Sequence, residues 1–167
     1  MGIVTSTSET AFTQSAEAVY DFVTNPQNWL PRTCPGSAHI GSLPELPLKV
    51  GDVWEEAGPD GDRIFTWQLA IADRPTRFVF TSIGRLGHDR DDPGGRKSGM
   101  AGRITVSYQF TRPGQDVTLF ARTMTIEAHQ HAPLPDQLFA QVNPAKIDAY
   151  HAAVARELEI DTGARGA

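Results

Sequence analysis

The stretch Ala16-Glu17-Ala18-Val19-Tyr20-Asp21-Phe22-Val23-Thr24-Asn25-Pro26-Gln27-Asn28-Trp29 holds two helix starts in close succession. Ser15 stands before it as an N-cap, and Val19, Phe22 and Val23 recur at i, i+3 and i+4 over Ala16 to Thr24. Asn25-Pro26 repeats the signal, a capping side chain followed by proline at the first helical position, and the short turn carrying Trp29 stops before Pro31. The expectation is two short helices in tandem. Upstream, Ile3 to Thr10 is rich in β-branched residues without a breaker, which reads as a half-exposed strand.

Downstream the period changes to two. Expected strands are Ser37 to Leu43, Asp52 to Ala57, Ile64 to Asp73, Arg77 to Ile83, Gly102 to Phe110 and Asp116 to His129, parted by turns such as Gly58-Pro59-Asp60-Gly61 and Arg112-Pro113-Gly114. The connections are too short for parallel crossovers, so the sheet is antiparallel and, with the first strand, seven-stranded. Alternation places Phe65, Trp67, Leu69 and Ile71 on one inward face, Phe78 and Phe80 on the next, and Ile104, Val106, Tyr108 and Phe110 on another. In the last strand Phe120, Arg122, Met124 and Ile126 compete with Val117, Leu119, Ala121, Thr123, Thr125, Glu127 and His129, with a bulge that switches parity partway as a further alternative, and the first set is preferred. After Pro133 and Pro135, Leu138, Phe139 and Val142 form a small apolar patch. Asn143-Pro144 then starts a long helix toward Ile160, with Ile147, Tyr150, His151, Val154 and Leu158 on one stripe. Gly87 to Gly99 is the one long loop, with a lid over a cavity mouth as one role and a plain insert as the other.

With 167 residues the chain makes a single domain, expected over 1–160, with 161–167 as a frayed tail. Fifteen Gly and twelve Pro exceed the usual combined share of about 12 %, which fits a heavily punctuated β-rich chain. A net charge of −5 without a basic stripe argues against nucleic acid as partner. Apolar runs fall far short of the roughly 20 residues that span a bilayer. The polar start and the lone Cys34 make a cytoplasmic setting the default expectation.

The order of strand, two small helices, six antiparallel strands and long closing helix resembles the helix-grip fold of the START-like SRPBCC superfamily. That superfamily includes the birch-pollen-allergen group, polyketide aromatase/cyclases and lipid-transfer domains. Ala16 to Trp29 is similar to its first-helix signature with a Pro-x-x-Trp turn, and Val50-Gly51-Asp52-Val53-Trp54 and Arg74-Pro75-Thr76-Arg77-Phe78 resemble its strand starts. The resemblance implies an α+β fold: a curved antiparallel sheet, two short helices and a long C-terminal helix that together enclose a mostly apolar cavity. It implies a hydrophobic small-molecule ligand there, such as a polyketide, lipid or aromatic metabolite, bound for transport or for cyclase/dehydrase-like chemistry. An interaction or stress-response module without a small ligand is the alternative. Monomer and homodimer stay open.

Candidate ligand-binding residues are Trp54, Trp67, Phe80, Tyr108, Met124, Tyr150 and Val154, each also a type that simply fills cores. Arg122, if inward, requires a polar or anionic partner and suits an enolate or polyketone; pointing outward, it pairs with Glu127 or Glu55. Tyr108 joins it as a hydrogen-bonding group for a carbonyl. His151 is either a general acid/base or a satisfied core histidine. One of Glu55 and Glu56 faces inward and answers Arg122 or acts as a base. His129 and His131 share a strand face but lack an evident third ligand, so no metal is expected, and no cofactor motif is present.

Overall fold

The computed structural model describes residues 2–29, 39–58, 61, 63–92, 99–114, 116–129 and 142–165. Its elements are β1 (Gly2–Phe12), α1 (Ala16–Val23), a 3-10 turn (Pro26–Trp29), β2 (His39–Gly41), β3 (Val53–Ala57), β4 (Arg63–Asp73), β5 (Arg77–Asp89), β6 (Gly102–Gly114), β7 (Val117–Ala128) and α2 (Pro144–Arg165). The strands form one antiparallel sheet in the order β1-β7-β6-β5-β4-β3-β2. α2 packs along β1 and touches α1. Among the described residues no helix is long and apolar enough to cross a membrane.

The local signals act as their chemistry dictates. Ser15 Oγ accepts the Ala18 N–H at 3.2 Å, and Ala16, Val19, Tyr20 and Val23 form the buried face of α1. Asn25 Oδ1 accepts the Gln27 N–H at 3.0 Å, and Trp29 Nε1 donates to the Val23 carbonyl at 2.8 Å, which clamps the turn under the end of α1. Asn143 Oδ1 caps α2 through the Ala145 N–H at 3.0 Å. On α2 the buried stripe is Ile147, Tyr150, His151, Val154 and Leu158, as the periodicity predicts, and the helix continues past Ile160 to Arg165. Cys34, Leu138 and Phe139 lie outside the described residues, while Val142 is buried.

The inward sets on β5, β6 and β7 hold: Phe78, Phe80, Ile104, Val106, Tyr108, Phe110, Phe120, Met124 and Ile126 are all buried. Two expectations on β4 and β5 are corrected. Leu69 pairs with Phe80 but Ile71 pairs with Val79, so a bulge at Ala70 reverses the alternation. Ile71 therefore leaves the inward face, and Ala72, opposite buried Phe78, takes its place. Similarly, β5 does not stop at Ile83. Gly84 and Gly87, at φ of 75° and 57°, carry the strand through a second irregularity to Asp89, and Leu86 exchanges two 2.9 Å backbone bonds with Met100. Gly87 to Asp89 are thus strand rather than loop, and residues 93–98 lie outside the described residues.

The core is a chain of rings. Phe80 stacks on Trp29 at 5.1 Å and meets Trp54, Trp67 and Tyr108 at 5.5, 5.2 and 5.7 Å. Tyr108 continues to Phe120 at 5.2 Å, and Phe120 to Phe110 at 5.0 Å. Such pairs add roughly 0.5–1.5 kcal/mol each beyond their area burial. The bulge makes a direct prediction for urea unfolding: Leu69→Ala costs about 2–5 kcal/mol, as for a buried leucine, whereas Ile71→Ala costs about 1 kcal/mol or less. Equal losses would show an uninterrupted strand.

Candidate functional site

Alternation on β7 runs without interruption: Thr118, Phe120, Met124, Ile126 and Ala128 are buried, and Arg122 lies in the same row, half-buried. Its register partners are Ser8 on β1 and Tyr108 on β6. The guanidinium carbon stands 4.8 Å from the centroid of the buried Tyr150 ring, a cation–π contact across the sheet–helix interface. Arg122 therefore faces inward, while Glu55 is exposed and Glu127 occupies the opposite face of β7.

His151, on the buried stripe of α2, is fully buried. Its Nδ1 lies 2.9 Å from Thr10 Oγ1, and its ring packs 4.7 Å from Phe120 and 5.9 Å from Tyr150. Nε2 is buried and has no hydrogen-bond partner among the described residues. Burial, and secondly the positive charge of Arg122, push the imidazole from the ordinary 6.5 down to about 4, against an opposing pull from Asp148. His151 is neutral at physiological pH and is only partly satisfied, a state between the two sequence alternatives.

The inner face of β1 was not resolved by sequence reasoning. Val4, Ser6, Ser8, Thr10 and Phe12 alternate inward, and the three hydroxyls meet the helix side of the interface. Ser8 Oγ donates to Asp148, Thr10 bonds His151, and Ser6 Oγ is buried without a partner among the described residues. The available signal was the apolar pair Val4 and Phe12 at even spacing; serine and threonine carry too little hydrophobicity to reveal a face by themselves.

At the far side of the sheet, Trp54 pairs with Trp67, and both are buried. Trp67 Nε1 donates to Glu56 Oε2 at 2.9 Å. Glu56 is thus the inward carboxylate, on a strand that β6, β5 and β4 separate from β7 in the sheet order. Trp54 Nε1 is buried without a hydrogen-bond partner among the described residues. Tyr108 links the two regions through Phe80 and Phe120, and Met124 and Val154 are buried with the rest. The structure brings Arg122, Tyr150 and His151 together, with Tyr108 opposite Arg122 in register, and places Trp54, Trp67 and Phe80 in a second aromatic group joined to the first through Tyr108 and Phe120. His129 is exposed, and His131 lies outside the described residues.

No family model and no curated protein matches the chain. Solved structures do. Ara h 8.0201 is similar over 94 % of this chain and 98 % of its own, with a TM-score of 0.67 at 15 % identity. Norcoclaurine synthase from Thalictrum flavum, in complex with dopamine and hydroxybenzaldehyde, is similar over 94 % of this chain and 87 % of its own (TM-score 0.63, 12 % identity). DynU16, a protein of the dynemicin biosynthetic locus, is similar over 93 % of this chain and 47 % of its own (TM-score 0.58, 16 % identity). The chain shares the helix-grip fold of these structures, as the order of its elements implied.

The state of His151 sets a pH dependence. Its folded value lies below its unfolded one, so the contribution to stability is complete above about pH 6.5, is lost progressively as pH falls through about 4, and is gone below that. The full loss is on the order of 3 kcal/mol. Urea unfolding from pH 7.5 to 4 should show wild type losing stability more steeply than His151→Gln as pH falls; parallel profiles would show that His151 is not held neutral.

Proposed function

We propose that the chain binds a hydrophobic small molecule, of the polyketide, lipid or aromatic class, between the sheet and α2. The observation that carries this reading is the inward guanidinium of Arg122, laid over Tyr150 and in the row of Phe120 and Met124. Taking a cation partly out of water into aromatic surroundings is costly, and packing alone is better served by an apolar side chain. An apolar enclosure with a few converging polar groups is the usual form of a small-molecule site. The solved complex of norcoclaurine synthase with dopamine and hydroxybenzaldehyde, a protein of the same fold, supports an aromatic ligand.

In this reading Arg122 anchors an oxygen of the ligand with its planar, permanently charged fork, Tyr108 supplies a second hydrogen bond, and Met124, Tyr150 and Val154 contact the hydrophobic body. Trp54, Trp67 and Phe80 form the aromatic wall at the far end. Turnover of the cyclase/dehydrase kind uses the same groups, with Arg122 and Tyr108 polarising a carbonyl and stabilising an enolate. A carrier stops at binding. Lost product with retained affinity in Arg122→Ala marks the enzyme; lost affinity with no product in wild type marks the carrier.

Titration with 8-anilinonaphthalene-1-sulfonate, followed by fluorescence, tests the binding reading. Saturable binding is expected, weakened about tenfold in Arg122→Gln, the equivalent of ~1.4 kcal/mol, and unchanged in Glu55→Gln, whose side chain is exposed. Equal affinity in Arg122→Gln overturns the anchor. Absence of binding to folded wild type, with no small molecule retained in native mass spectrometry, favours an interaction module.

A further inference from the structure

His151 is held at one nitrogen and bare at the other. Nδ1 is committed to Thr10 Oγ1 at 2.9 Å, which fixes the ring plane between Phe120 and Tyr150, while Nε2 is buried without a partner among the described residues. Leaving such a nitrogen unpaired opposes folding, and an apolar residue in its place would avoid that cost. Tyr150 joins it to Arg122, since the guanidinium and the imidazole both lie against that ring. Among the described residues the charges that act on His151 are Arg122 from β7 and Asp148 from its own helix, and β1 presents to it the neutral hydroxyl of Thr10.

We propose that Thr10 and His151 form a proton-accepting pair that, together with Arg122, selects hydrophobic ligands carrying an anionic oxygen, and that such ligands enter with one proton. This rests on the small-molecule reading above and names the ligand's polar group. Without an anion, an imidazolium beside the Arg122 guanidinium is opposed by repulsion and by burial, so the imidazole stays neutral. A carboxylate or enolate oxygen placed at Nε2 reverses that balance, because its negative charge stabilises the imidazolium against both burial and the nearby guanidinium. The charge count closes: the anion brings −1, the proton taken from solvent onto His151 brings +1, and the net charge of the site is unchanged. No covalent bond of the ligand breaks. Thr10 is a positioning residue in this scheme, because it orients His151 and need not touch the ligand.

The test compares 2-naphthoate with its neutral counterpart 2-naphthylmethanol by calorimetry at pH 6 in two buffers of different ionisation enthalpy, which reads protons taken up. The expected result is at least tenfold preference for naphthoate with uptake of more than half a proton, and no uptake with the alcohol. His151→Gln should bind naphthoate without proton uptake and about tenfold more weakly. Thr10→Val should lower the uptake and Thr10→Ser should restore it, a pattern that a merely structural threonine would not produce. If Thr10→Val does not fold, His151→Gln and Thr10→Ser still decide. Preference for naphthoate without proton uptake assigns anion recognition to Arg122 alone and overturns the proposal. Equal affinity for both compounds overturns it while leaving the small-molecule reading intact. Failure of both compounds to bind the folded protein overturns both.

Discussion

Phe120 is fully buried, with its ring 5.0 Å from Phe110, 5.2 Å from Tyr108, 6.1 Å from Phe12 and 4.7 Å from His151, so β1, β6, β7 and α2 converge on one side chain. Its position sets the parity of β7. Because side chains alternate strictly along an unbulged strand, a buried Phe120 obliges Arg122 to share its face, one pleat further along. A single-residue slip would send Phe120 to solvent and Arg122 with it. The placement of the cation is therefore enforced by the burial of its aromatic neighbours, and a site that requires Arg122 inward draws on the same contacts that hold the sheet together.

The opposite wall of the interface is built differently. Where α2 meets β1, the strand offers Ser6, Ser8 and Thr10 rather than the branched aliphatic residues found on β6. Hydrogen bonds such as Thr10 to His151 and Ser8 to Asp148 contribute only about 0.5–1.5 kcal/mol net, less than a well-packed leucine would. Their advantage is directional: a short hydroxyl on a rigid strand fixes the rotation of the helix and the plane of the imidazole, which apolar packing does not. α2 is thus seated by Val154 and Leu158 and oriented by the β1 hydroxyls.

Which parts of this were legible in the sequence follows from the range of the interactions. Caps at Ser15, Asn25 and Asn143 are local and were readable from a few neighbouring residues, as were the helix stripes they begin. Alternation on β6 and β7 was readable because nothing interrupts it. It failed at Ala70, where a bulge leaves no mark in composition, and at Gly84 and Gly87, where glycine turned a strand by positive φ instead of ending it. The candidate residues Arg122 and His151 were found by type and parity, but Thr10 and Ser8 were not, since their partners are more than a hundred positions away in the chain. The pairing of Glu56 with Trp67 was hidden for a related reason: alternation gives the face of a carboxylate, but the diagonal neighbour on the next strand depends on register.

The polar atoms left in the interior argue against a core that is only a core. Ser6 Oγ, Trp54 Nε1 and His151 Nε2 are buried without hydrogen-bond partners among the described residues. At about 1–3 kcal/mol each, together they oppose folding by an amount comparable with the whole net stability of an ordinary domain, about 5–15 kcal/mol. The continuous ring packing from Trp29 to Phe120 offsets that cost, but it does not require it; alanine, phenylalanine and leucine at the three positions would pack with no polar atom to satisfy. Their inward setting, on strands β1 and β3 and on helix α2, surrounds the aromatic row with donors and acceptors at both ends. An interior of this kind is consistent with the proposed small-molecule site, in which polar groups would meet the ends of a ligand and the ring row its apolar body.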